Sequence, residues 1–149
     1  MSFEAIRREF REIGKLPERY RTVLSDIIAE SSDDGQLHEA IHFFSYSYPL
    51  DSQVYRKCFD LICADRNDQL TAICIKAIYT FWAEDDPKLS AIIFGRILES
   101  SFDERFEENQ AVLTAYNKGG FSDYATEMRN HLERFVAWGK LNGFDLEII

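Results

Sequence analysis

Apolar residues recur at helical spacing from one end of this chain to the other, and alternation of period two is never sustained. That pattern argues against a sheet and predicts an all-α fold. Phe3, Ile6, Phe10 and Ile13 line a first helix that Gly14 stops, and Pro17 stands at a first-turn position of the next. Tyr20, Val23, Leu24, Ile27 and Ile28 line the second. Asp33 or Asp34 caps a third with Leu37, Ile41 and Phe44 inward, and Asp51 caps a fourth with Val54, Cys58, Leu61 and Ile62. Asn67 or Asp68 opens a fifth with Leu70, Ile73, Cys74, Ala77, Ile78 and Phe81, and Asp86 and Pro87 open a sixth with Leu89, Ile93 and Ile97. Asp103 is expected to open the seventh, lined by Phe106, Val112, Leu113 and Tyr116, and Ser122 a longer eighth, lined by Ala125, Met128, Leu132, Phe135 and Val136.

Helix starts near 17, 34, 51, 68, 87, 104 and 122 recur about every 17 residues, so a helix pair recurs about every 35. This spacing predicts about eight antiparallel helices in an α-solenoid or right-handed superhelical array. A shift of 16 residues places Gln53, Val54, Cys58 and Ile62 on Gln69, Leu70, Cys74 and Ile78. The stretch "LICADRNDQLTAICIKAI", residues 61 to 78, resembles the loop-and-helix core of the HEAT repeat family, with Leu61, Asp65, Leu70, Cys74, Ala77 and Ile78 at the family's positions. Thr71 stands where the family carries an arginine, so the family's aspartate-to-arginine ladder between repeats is not expected here. The resemblance implies a scaffold for binding and names no ligand.

A chain of 149 residues suits one domain with a core that needs no metal or disulfide, and 46% hydrophobic residues with three prolines exclude a disordered chain. There is no run of 18 apolar residues and no secretory pattern at the start, so a cytoplasmic protein without a membrane partner is expected. Cys58, Cys63 and Cys74 lie in apolar helical runs without a C-x-x-C pair, and all three are expected to be buried, reduced thiols.

The net charge of −9 is unevenly placed. Residues 1 to 25 hold six basic side chains (Arg7, Arg8, Arg11, Lys15, Arg19, Arg21) against four acidic ones, and the remainder holds 11 basic against 22 acidic. Such a surface repels phosphate backbones and favours a cationic protein partner over nucleic acid. In an up-and-down array the loops near 32 to 35, 65 to 68 and 101 to 104 share one edge. That edge gathers Asp33, Asp34, Asp65, Asp68, Asp103 and Glu104, with Glu107 and Glu108 following on the seventh helix. Helix capping explains part of the set, and a docking surface for a cationic partner explains the rest. The rival surface is the opposite edge, where Tyr46 and Tyr48 meet Glu84, Asp85 and Asp86.

One stretch carries catalytic chemistry in its spelling. "LHEAIHFF" places His38, Glu39 and His42 in the H-E-x-x-H pattern, in which two histidines on one helical face hold zinc and the glutamate activates its water. The sheet that such sites are built beneath is missing, and no third ligand follows at a convincing distance; Asp51 and Asp60 are makeshift candidates. His131 has no nucleophile in a plausible context. No catalytic residue, resident metal or cofactor is therefore expected. The leading expectation is a non-enzymatic, acidic immunity protein that neutralises a basic toxin, for example a nuclease, by direct binding; the alternative is a helical-repeat adaptor for another protein, and the last is a zinc hydrolase using His38, Glu39 and His42. The first is similar in type to small, acidic, all-helical toxin-immunity proteins.

Overall fold

The computed structural model describes residues 3–81 and 86–149 of the chain. Among them are eight α-helices and no strand: α1 Glu4–Ile13, α2 Arg21–Glu30, α3 Asp34–Ser47, α4 Ser52–Ala64, α5 Asp68–Phe81, α6 Pro87–Glu99, α7 Phe106–Asn117 and α8 Ala125–Leu141. Short 3-10 turns, Glu18–Tyr20 and Ser122–Tyr124, lead into α2 and α8. No helix among the described residues is long and apolar enough to cross a membrane.

Local chemistry sets most of the boundaries. Gly14 adopts φ 79° and donates its N–H to the Phe10 carbonyl, closing α1 in the left-handed conformation that only glycine takes without cost. Asp33 accepts from the Gln36 N–H and Asp51 from the Val54 N–H, capping α3 and α4 as expected. Asn67 takes the same role for α5, accepting from the Leu70 N–H at 2.8 Å. Asp86 accepts from the N–H groups of Lys88 and Leu89, with Pro87 in the first turn of α6.

Helices two apart in chain order pack side by side: α5 lies against α3 and α7, while α2 packs on α3 and α4, and α4 on α5. The core between these groups contains Leu24, Ile28, Leu37, Ile41, Phe44, Cys58, Ile62, Leu70, Cys74, Ile78, Leu89, Ile93, Val112, Met128, Leu132 and Phe135, all buried. Each such leucine, isoleucine or phenylalanine contributes roughly 1.5–3 kcal/mol of burial before conformational entropy is subtracted. α1 covers the start of this array through Phe10, whose ring centroid lies 5.1 Å from that of Phe43 on α3. Past α8 the chain folds back, with Phe144 against Phe106 at 4.6 Å and the Asn117 amide donating to the Glu147 carbonyl.

Five expectations are corrected. Val23, assigned to the inner face of α2, is exposed, because it precedes Leu24 by 100° around the helix and leaves the stripe of Leu24 and Ile28, and Ala125, assigned to the inner face of α8, is exposed at that helix's first residue. Ile13, assigned to the inner face of α1, is 66% exposed, because the helix ends there and the chain turns away. Cys63 is exposed whereas Cys58 and Cys74 are buried; it follows Ile62 by 100° around α4 and so leaves the stripe of Val54, Cys58, Leu61 and Ile62. α7 begins at Phe106 rather than at Asp103, because its opening N–H groups are capped from another helix.

Candidate functional site

The loops before α3, α5 and α7 do meet at one edge, and the atoms that join them are those of the acidic set. Arg66 pairs with Asp34 at 2.6 Å and donates to the Ser32 carbonyl at 2.8 Å, while the Asn67 amide donates to Asp34 at 2.8 Å. One loop further on, Arg105 donates to both carboxylate oxygens of Asp65, at 2.7 and 2.6 Å. Asp68 accepts from the backbone N–H groups of Glu107 and Glu108 at 2.7 and 3.0 Å, so an aspartate of α5 caps α7. The Arg105 hydrogen bond holds the Asp65 carboxyl below its usual range despite partial burial.

Glu108 departs furthest from expectation. It is 0% exposed and receives Arg96 at 2.9 and 3.2 Å and Arg105 at 2.9 Å, while Arg96 also donates to the Ile62 carbonyl at 2.6 Å. Burial pushes its carboxyl up, and the two guanidiniums oppose that shift. Glu108 thus has no surface to offer a partner, and Asp34, Asp65 and Asp68 are engaged within the molecule. Asp33 caps α3. The exposed acids of the edge are Asp33, already used as the α3 cap, and Asp103 and Glu104, the last accepting from the Ser101 hydroxyl at 2.9 Å, with Glu107 half-buried beside them.

The rival edge is also altered. Tyr48 is buried, donating its hydroxyl to the Pro17 carbonyl at 2.6 Å, and is removed as a partner anchor. Asp86 caps α6 and accepts from the Tyr55 hydroxyl at 2.9 Å; burial first, then this hydrogen bond, push Tyr55 up to about 12. Glu84 and Asp85 lie outside the described residues. Tyr46, 51% exposed, remains at the surface, and it belongs to a different feature.

That feature is an open cleft of about 700 Å³ between α1 and α3. Arg7, Phe10 and Arg11 project from one face of α1, at spacings of three and four, and Gly35, His38, Glu39, His42 and Phe43 form the α3 wall. Phe10, His42 and Tyr46 meet with ring centroids 5.0 to 6.2 Å apart at the rim. His38 also lines two neighbouring hollows, one with Asn67, Asp68 and Gln69 and one with Gln69, Ala72, Ile73, Lys76 and Glu107. A concave surface therefore runs from α1 across α3 and α5 to the start of α7.

The H-E-x-x-H residues are part of this cleft. Arg7 donates from Nε and Nη2 to the two carboxylate oxygens of Glu39, the second contact at 2.9 Å. A glutamate clamped in this way is not poised to accept a proton from water. His38 and His42 are half-buried; burial lowers both pKa values, and Lys76 lowers them further. No third histidine, cysteine or carboxylate joins them in a group able to hold a metal among the described residues. Of the makeshift candidates, Asp51 caps α4 and Asp60 pairs with Arg56 at 3.7 Å. His131 is buried on α8, bonded through Nε2 to the Asn109 side chain at 2.6 Å beneath Phe102.

The cleft was not anticipated from the sequence, although its signal was there. Arg7, Phe10 and Arg11 share one face of α1, and His38 and His42 share one face of α3. What pattern alone does not give is that these two faces oppose each other. No family profile, curated protein or solved structure matches this chain.

Proposed function

We propose that this protein is a non-enzymatic binding protein, a HEAT-like helical-repeat scaffold that docks another protein in the cleft between α1 and α3. The observation that carries the reading is the cleft itself: aromatic rings and arginines line an open concavity, whereas Asp34, Asp65, Asp68 and Glu108 of the neighbouring edge are consumed in joining the loops. Tyrosine and arginine are among the side chains that dominate protein-binding hot spots, and here Arg7, Arg11 and Tyr46 are exposed beside the part-buried Phe10. The ladder from Asp34 to Arg66 and from Asp65 to Arg105 supports the repeat reading, with arginines drawn from the loops where Thr71 has none to offer. Rigid loops favour such a role, because a preorganised surface loses less entropy on binding.

A second reading keeps the toxin-neutralising function and moves contact to the acidic tip at Asp103 and Glu104, which remain exposed within a chain of net charge −9. There a cationic toxin domain would be steered by charge. Affinity capture from the native cell separates the two. The first reading expects a protein retained by wild type and by Asp103→Lys with Glu104→Lys, and lost with His42→Ala plus Tyr46→Ala. Loss only with the lysine pair transfers the site to the tip. A partner indifferent to both pairs, or no protein partner, overturns the cleft reading.

A further inference from the structure

We infer that the cleft between α1 and α3 receives an acidic segment of the partner protein, its carboxylates on Arg7 and Arg11 and an aromatic or aliphatic side chain among Phe10, His42 and Tyr46. This rests on the reading of the cleft as the docking site and adds the chemistry of what enters it.

The charge of the walls sets the sign. Three ionised residues line the main cleft, Arg7, Arg11 and Glu39, and the one acid is already held by Arg7. Arg7 keeps a side chain 51% exposed, so guanidinium N–H groups remain to donate outward. Arg11 is exposed and makes no ion pair with a described residue. His38 and His42 add ring N–H groups that donate in the neutral form. Further along, Lys76 faces His38 and His42 across the hollow on α5, with Glu107 opposite. The cations of the main cleft, Arg7 and Arg11, both stand on α1, while α3 contributes Glu39 and two histidines and the adjoining hollow holds Asp34 and Asp68, so the positive end of the surface is the α1 wall.

The apolar part of the cleft fixes the second element. Phe10 sits between Arg7 and Arg11 in the lining, and the rings of His42 and Tyr46 continue it, so a charged group bound at either arginine lies beside aromatic surface. A segment that combines carboxylates with one bulky apolar side chain satisfies both. Nucleic acid offers the same sign of charge at a higher density along its whole backbone, so it meets more of the acidic surface outside the cleft than a segment with a few carboxylates does, and the oligonucleotide probe below tests it.

The experiment is a peptide array of acid-rich decamers, each carrying one tryptophan, phenylalanine or leucine, probed with the full-length chain. A parallel array replaces glutamate and aspartate with glutamine and asparagine, and a single-stranded oligonucleotide of equal charge is the third probe. Binding is expected on the acidic array only, weakened about tenfold or more by Arg11→Glu and by raising salt from about 50 to about 500 mM. Equal binding to the neutral array, indifference to Arg11→Glu, preference for the oligonucleotide, or a silent array each overturns the inference. If the array is silent while His42→Ala plus Tyr46→Ala still abolishes partner capture, the cleft remains the docking site and only the acidic chemistry falls. If capture is unaffected as well, both readings fall together.

Discussion

Glu104 and Glu108 stand one turn apart and look alike on paper, yet the fold treats them as opposites. Glu104 is exposed and Glu108 is sealed between Arg96 and Arg105. Glu108→Gln should cost about 2 kcal/mol in urea unfolding, because the part-buried Arg96 loses its carboxylate and Arg105 keeps only that of Asp65; Glu104→Gln should stay within about 0.5 kcal/mol. Similar losses for both would show that Glu108 is not inside. The phase of α7 held this information: Glu108, Ala111, Val112 and Ala115 fall on one buried stripe. An acid in an apolar stripe signals a buried partner, and only the identity of the arginines needed the structure. His131 obeys the same logic. Burial, reinforced by Arg134, lowers its pKa to about 4, below the ordinary value near 6.5. Its neutral form therefore stabilises the fold fully above pH 6.5, and that contribution is lost as pH falls toward 4, on the order of 1 to 3 kcal/mol. His131→Gln, which keeps an amide to meet Asn109, should flatten the dependence of unfolding free energy on pH across that window. An unchanged slope would show that this ring titrates as if in water.

At the scale of the element, helix starts and stops were legible wherever the determinant is local. Gly14, Asp33, Asp51 and Pro87 act within four residues of their own positions, and the boundaries of α1, α3, α4 and α6 follow from them. The start of α7 was misplaced because its cap comes from Asp68, which lies 39 residues away from Glu107 in sequence. No rule about neighbouring residues reaches that far. Asp68→Ala should therefore destabilise by about 1 kcal/mol and reduce hydrogen-exchange protection at the amides of Glu107 and Glu108, in α7 rather than in α5. Asp103→Ala, at the position where a cap was expected, should leave both amides unaltered. Loss of protection with Asp103→Ala instead would restore the local cap.

For the whole molecule, the periodic pattern carried the all-helical class and the number of helices, and loop spacing carried the meeting of three loops at one edge. It did not carry which acids would be spent holding those loops together. Asp34, Asp65 and Asp68 face arginines, an asparagine and backbone donors brought in from about one helix pair away. The cleft was hidden for a related reason: each wall is a short run on a separate helix, and their opposition is a property of packing. His38, Glu39 and His42 carry the spacing of a metal pattern, whereas their surroundings make them a wall facing arginines and aromatic rings. The most direct test places a photo-crosslinking benzophenone amino acid at position 46, on the rim of the cleft, or at position 103, on the acidic tip, and irradiates the native cell. The account predicts a discrete protein adduct from position 46 and none from position 103; an adduct from position 103 alone, or from neither position, would contradict it.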